Sequence, residues 1–218
     1  MFPMPPVQHR GRVGHGVFIA FEGGDGAGKS TQIDALAASL VAQSRDVVVT
    51  REPGGTHVGS AIRQVVLHGE HVEARAEALL FAADRAHHVA TVVRPALARG
   101  AVVLTDRYMD SSIAYQGAAR GADRHEIADL SLWATHGLLP DLTFLLDVDP
   151  QVGYQRRRGE HDRLESESAD FHQQVRAAFL DLAAAAPSRY LVLDADQDPA
   201  DLVAQTAARV GALLGAPQ

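Results

Sequence analysis

Apolar residues in this chain follow two alternating patterns. Short runs of consecutive, mostly apolar residues occur at 17–21, 46–50, 101–105, 142–147 and 190–193. Between them lie longer stretches whose apolar positions recur every three or four residues, such as Ile33, Leu36, Ala37 and Leu40, or Leu79, Leu80, Ala83, Val89 and Val93. Consecutive runs predict strands buried on both faces, and the three-to-four spacing predicts amphipathic helices. Helices are therefore expected after Ser30, over about 57–67, 74–99 and 124–136, from about 150, and over about 169–185 and 199–214. The stretch containing Ser111, Ser112, Tyr115, Gln116 and Gly117 reads as a polar, turn-prone connection. Strands alternating with helices predict an α/β fold: a doubly wound, five-stranded parallel sheet with helices on both faces. No internal repeat or linker divides residues 16–218, which read as one domain. Residues 1–15, rich in Pro, Gly, His and Arg, read as a disordered extension without the apolar core of a signal peptide.

The first strand runs into Gly23-Gly24-Asp25-Gly26-Ala27-Gly28-Lys29-Ser30-Thr31, and a helix follows. Gly, four residues, Gly, Lys and then Ser is the phosphate-cradling pattern, and strand–loop–helix is the context it requires. Glycines let the backbone approach phosphate oxygens, while successive N–H groups and the helix N-terminus attract the anion. Lys29 is the only lysine beside nineteen arginines. A compact ammonium on a flexible stem suits a position between two phosphates better than a planar guanidinium does. These residues imply a nucleoside triphosphate site. The third strand ends in Asp106, where a carboxylate helps hold Mg²⁺ directly or through water.

Composition narrows the partners. The net charge of −7 argues against broad affinity for nucleic acid or anionic membranes, and no apolar run approaches the ~20 residues needed to cross a bilayer. The absence of cysteine excludes disulfides and thiolate chemistry and suits a cytoplasmic setting. The eleven histidines are scattered, which argues against zinc.

Three classes share such a loop: a small-molecule kinase, a GTPase-like switch, and an ATPase motor or non-catalytic nucleotide-binding subunit. A switch needs a second lysine to read guanine, and a motor predicts a larger chain. A monophosphate kinase needs arginines beyond the loop, because acceptor and donor phosphates meet. Arg51 and Arg107 follow buried strands, and Arg156, Arg157, Arg158 and Arg163 cluster in a polar connection near 156–166 placed like a lid.

Further blocks then come into register. Thr50-Arg51-Glu52-Pro53-Gly54-Gly55-Thr56, Leu79-Leu80-Phe81-Ala82-Ala83-Asp84-Arg85, Asp106-Arg107-Tyr108-Met109-Asp110-Ser111-Ser112-Ile113-Ala114-Tyr115-Gln116 and Gly159-Glu160-His161-Asp162-Arg163-Leu164-Glu165 follow the loop in order. Together they resemble the bacterial thymidylate kinases over about residues 16–165. The resemblance implies transfer of phosphate from ATP·Mg²⁺ to dTMP, giving dTDP and ADP on the way to dTTP, in a cytoplasmic homodimer formed through helices. It implies that Lys29, the loop amides from Gly23 to Gly28, Ser30, Thr31 and Arg157 hold ATP, with Ser30 and Asp106 on the metal. Arg51 and Arg107 would grip the acceptor phosphate and the transferring group, and Arg156, Arg158 and Arg163 would add charge from the lid. Asp25 would receive the sugar 3′-OH, Phe81 would stack on thymine, and Arg85 and Ser112 would meet its edge. Tyr115 would pack against the sugar, with Ser111 and Gln116 completing the dTMP set. Gly26 stands where other members carry a loop arginine, which implies the type whose arginines sit in the lid. Another nucleotide or nucleoside kinase on the same scaffold is the alternative.

Overall fold

The computed structural model describes residues 16–157 and 162–215. The expected extension 1–15 and lid residues 158–161, Arg158 among them, lie outside the described residues. In chain order the elements are β1 (Val17–Gly23), α1 (Lys29–Ala42), β2 (Val47–Arg51), α2 (His57–His68), α3 (Ala74–His88), a π-helical turn Val89–Val93, α4 (Arg94–Ala98) and β3 (Val102–Asp106). There follow α5 (Met109–Ser112), a π-helical segment Ile113–Ala119, α6 (Arg124–Thr135), β4 (Leu142–Asp147), α7 (Pro150–Arg156), α8 (Ala169–Ala185), β5 (Tyr190–Asp194) and α9 (Pro199–Gly215).

The five strands pair in parallel in the order β2-β3-β1-β4-β5. Alternation along β1 divides the core. Val17, Ile19 and Phe21 point to one face, where Ile33, Leu36 and Leu40 of α1 and Leu202 and Val210 of α9 cover them. Phe18 and Ala20 point to the other, into a larger cluster with Phe81, Ile113, Tyr115, Phe171 and Phe179. Edge-to-face packing of Phe18 on Tyr108, centroids 4.9 Å apart, ties β1 to the turn after β3. Because β1 lies between β3 and β4, its C-terminal end opens at the point where successive connections part to opposite sides of the sheet. A ligand cleft is expected there. Among the described residues, no helix is long and apolar enough to cross a membrane.

The sequence pattern predicts one helix over 74–99, and the chain does stay helical there. A π turn interrupts the α register just before Pro95, which has no N–H for the preceding turn. The larger departure is at 109–119. The expected turn-prone connection is instead a short helix continued by a π-helical segment, with Ile113, Ala114, Tyr115 and Gln116 buried. Its polar groups are satisfied from distant elements: Glu22 accepts from the N–H of Ser111 at 3.1 Å, and Gln116 Nε2 donates to Glu77 Oε1 at 2.9 Å. A polar stretch so partnered can be buried, and local composition does not reveal the partners.

Candidate active site

The glycine loop leaves β1 and enters α1 with the geometry its sequence predicts. Gly28 caps the helix at φ 90°, and no side chain bonds the first turn, whose N–H groups stay available to an anion. Gly26 has φ 77°, and a Cβ there would lie 2.1 Å from the carbonyl oxygen of Gly153 on α7. An arginine at this position would collide with backbone, so the loop can carry no cation of its own here. Lys29 Nζ is buried and donates to the carbonyls of Gly23 at 3.1 Å and Gly24 at 2.9 Å. Burial and the nearby Arg107 push its pKa down, against the pull of Asp106, Asp25 and Glu22.

β3 delivers Asp106 beside the loop, with Ser30 Oγ donating to its Oδ2 at 3.5 Å. The other carboxylate oxygen, Oδ1, is buried without a hydrogen-bond partner among the described residues. Arg107 follows in a left-handed conformation, φ 68°, which turns its side chain back across the end of β1. Its guanidinium donates to Gly23 O and Ser111 Oγ at 3.1 Å each, to Asp25 Oδ1 at 2.5 Å and to Tyr115 OH at 3.3 Å. Tyr115 OH donates to Asp25 Oδ2 at 2.9 Å. Burial alone would raise the pKa of Asp25, but Arg107, Lys29 and the Tyr115 hydroxyl together hold it well below the usual carboxylate range. Burial pushes the Tyr115 phenol up, so it stays a neutral donor.

These groups border one cleft of about 520 Å³, large enough for small-molecule substrates. Asp25, Gly26, Gly28, Lys29, Ser30, Thr31, Arg51, Phe81, Arg85, Asp106, Arg107, Ser111, Ser112, Tyr115, Gln116 and Arg156 all line it. The structure thus gathers residues from five separate stretches of the sequence.

The expected lid arginines take different places. Arg156 lines the cleft, donating to Ala195 O at 2.7 Å and Asp196 Oδ1 at 2.8 Å. Arg157 stacks on Tyr154 and lies behind the glycine loop, in a small cavity bordered by Gly23, Gly24 and Asp25. Arg163 turns away from the cleft: it pairs with the fully buried Glu77 and donates to Val66 O, at 2.8 Å from Nη2. Phe81 both lines the cleft and belongs to the core. Arg85 is buried and heavily engaged, donating to Glu52 at 2.8 Å, Ser131 and Ser112 at 3.1 Å each, and Tyr108 O at 3.2 Å. Glu52 is held in turn by His88 Nδ1 at 2.8 Å, whose Nε2 pairs with Thr50 Oγ1 at 2.6 Å.

Among the charged residues of the cleft, Arg63 lies outside every block of the sequence reading. Arg63 of α2 reaches the cleft and donates to Pro53 O at 3.2 Å. Burial and the positive charges of Arg51 and Arg107 press its pKa down. Cations that destabilise one another in this way mark a place where an anion is welcome. An arginine on an amphipathic helix carries no local sign of this; only the fold of α2 against the 51–54 loop does.

The comparisons with known proteins agree on one family. A family model described as thymidylate kinase matches residues 21–206. A thymidylate kinase of Clavibacter sepedonicus is 60% identical over 205 residues, covering 92% of this chain and 97% of that one. One of Bifidobacterium longum is 58% identical over 187 residues, 84% of this chain and 91% of its own. One of Deinococcus radiodurans is 51% identical over 198 residues, 89% and 96% respectively.

Proposed function

The chain belongs to the thymidylate kinase family, and from that premise we propose that its cleft transfers the γ-phosphoryl group of ATP to dTMP, giving dTDP and ADP, a step towards dTTP in the cytoplasm. The observation that carries this reading is the convergence of Arg51, Arg63 and Arg107 opposite Lys29 in a single cleft. One triphosphate would occupy the glycine loop. Three further cations are more than that anion needs, and they suit a second substrate with its own phosphate.

In this reading the amides of the loop, with Ser30 and Thr31, cradle the ATP phosphates, and Lys29 leaves its two carbonyls to meet them. Arg51 and Arg63 hold the acceptor phosphate, and Arg107 bridges it to the transferring group. The acceptor is already an anionic oxygen, so positioning and charge neutralisation do most of the work. Asp25 accepts the sugar 3′-OH, and Tyr115 walls the sugar. Ser111 and Gln116 stand at the acceptor's edge, and Arg156, on the rim, adds charge from the lid side. The other lid arginines, Arg157, Arg158 and Arg163, belong to the same reading if the lid rearranges on closing. Mg²⁺ fits the donor set: the unpartnered Asp106 Oδ1 and the adjacent Ser30 Oγ are hard oxygen ligands, with Asp106 acting directly or through water. When bound, the metal supplies charge neutralisation to the donor phosphates.

Phe81 stacks on the base, and Arg85, one helical turn later, offers its edge a guanidinium already fixed by Glu52, Ser131 and Ser112. Of the Nη1 hydrogens, one engages Ser131 and the other can meet a carbonyl of the base. A panel of nucleoside monophosphates, followed by ADP release, tests the assignment. We expect dTMP to exceed dUMP by about 10–200-fold in kcat/KM, the range one methyl can supply. dCMP should be far poorer, because its amino group would oppose Arg85, donor against donor. Equal turnover of dCMP and dTMP would overturn the thymidylate assignment in favour of another nucleotide kinase.

The reading includes a homodimer. Arg75 of α3 approaches Glu126 of α6 at 3.9 Å, and successive turns of the two helices then expose Leu79 and Trp133, Trp133 to 78%. Exposed large apolar side chains on two helices that pack together suit a twofold contact between copies. Sedimentation should give the mass of two chains, and Trp133→Asp should give one. A monomer in the unsubstituted protein would remove this part of the proposal.

A further inference from the structure

Glu22, the last side chain of β1 to face the larger core, is fully buried and does not itself line the cleft. Its carboxylate accepts three bonds, all from the turn after β3: Tyr108 N–H at 2.9 Å and Ser111 N–H at 3.1 Å on Oε1, and Ser111 Oγ–H at 2.6 Å on Oε2. Because the Ser111 hydroxyl spends its proton on Glu22, its lone pairs are free to accept Arg107 Nη1 at 3.1 Å. Arg107 itself sits at φ 68°, a conformation a non-glycine residue keeps only when its surroundings hold it. The two backbone bonds to Glu22 fix the residues immediately after it.

We propose that Glu22 is a positioning residue for Arg107: through the Ser111 hydroxyl and the 108–111 backbone, it holds the guanidinium across the end of β1, where the phosphoryl group is transferred. The proposal rests on the reading that Arg107 grips the transferring group. It explains why a carboxylate is kept where an apolar side chain would be cheaper to bury.

The charged surroundings sharpen the test. Asp110 and Arg107 face Glu22 from the turn, Lys29 from the glycine loop, and Tyr190, itself bonded to Asp110, from β5. Burial and Asp110 raise the Glu22 pKa from 4.5 to about 7, against the pull of Ser111, Arg107 and the Tyr108 N–H. A carboxyl whose folded pKa is raised contributes stability below its unfolded value and loses it as pH rises through the folded value. Ionisation of Glu22 therefore costs stability between about pH 5 and 7, while only the ionised form accepts the Ser111 proton. A protonated carboxyl would donate to Ser111 Oγ and compete with Arg107.

Glu22→Gln cannot ionise, and its amide donates towards Ser111 Oγ. We expect kcat to fall about 10–100-fold, as is usual when a group orienting a functional residue is lost, with dTMP affinity in equilibrium titration changed less than threefold. The ratio of wild-type to E22Q activity should rise with pH through about 7, while the melting temperature of E22Q relative to wild type rises between about pH 5 and 7. A merely structural residue would instead lose activity and stability together. Should E22Q not fold, Ser111→Ala, which cuts the same relay at the hydroxyl, should show the same fall in kcat. Arg107→Ala serves as the reference. If it retains turnover, the reading of Arg107 fails. If it abolishes turnover while E22Q or S111A stays within threefold of wild type, the relay alone is refuted.

Discussion

Lys29→Met should abolish turnover, with kcat falling by about 10²–10³-fold or more, the loss expected when a fixed charge facing the transferring phosphates is removed. The fold should survive. Among the described residues Lys29 donates to the carbonyls of Gly23 and Gly24 at the cleft's edge, and water can take over there. The chain offers an unusually clean second readout. Lys29 is its only lysine, so an amine-selective reagent can modify nothing but this residue and the terminal amine. Burial and Arg107 lower the lysine's pKa and so raise the fraction present as nucleophilic amine. ATP with Mg²⁺ should protect Lys29 from the reagent, and dTMP alone should protect it much less. Labelling that saturating ATP leaves unchanged would count against the triphosphate site itself.

Arg107→Ala should be comparably damaging for a different reason. A transition-state arginine is worth about 10³–10⁵ in rate in related phosphoryl transfers. Among the described residues Arg107 is the guanidinium that reaches across the end of β1, and no loop arginine can take its place, because a side chain at Gly26 would meet the backbone of Gly153. The substitution also strips Asp25 of its main counter-charge, leaving a largely buried carboxylate that Lys29, Tyr115 and Arg157 favour less strongly. The melting temperature at pH 7 should therefore fall as well. Adding Asp25→Asn should restore part of that stability, because the amide carries no charge to bury, while restoring no turnover. A double variant that regained activity would mean that Arg107 serves the fold rather than the reaction.

Such variants separate two roles that one guanidinium fills, and the distinction matters elsewhere in the site. Phe81 is at once a wall of the cleft and a member of the core. Arg85 is at once available to a base and the hub of a buried network. Binding groups held this firmly lose little entropy when the substrate arrives.

Consecutive residues of the sequence determine a large part of this protein. The strands, the glycine loop, the helix it opens and Asp106 at the end of β3 each depend on residues adjacent in the chain: apolar runs, positive-φ glycines, a lone ammonium. The comparisons place the whole in a family that its motifs already indicate. What only the tertiary structure decides is where long charged side chains go. Four lid arginines look alike in sequence, yet Arg163 meets Glu77 across 86 residues and Arg156 meets Asp196 across 40. Residues 109–119 look like a turn and become buried helix, because Glu22, 89 residues before Ser111, and Glu77 satisfy polar groups there. Arg63 looks like a surface residue and enters the cleft, because α2 folds against the loop after β2. A flexible charged side chain has many rotamers and no apolar face to fix its direction. Its position is set by the partner that compensates its charge, and that partner is brought near only by the fold.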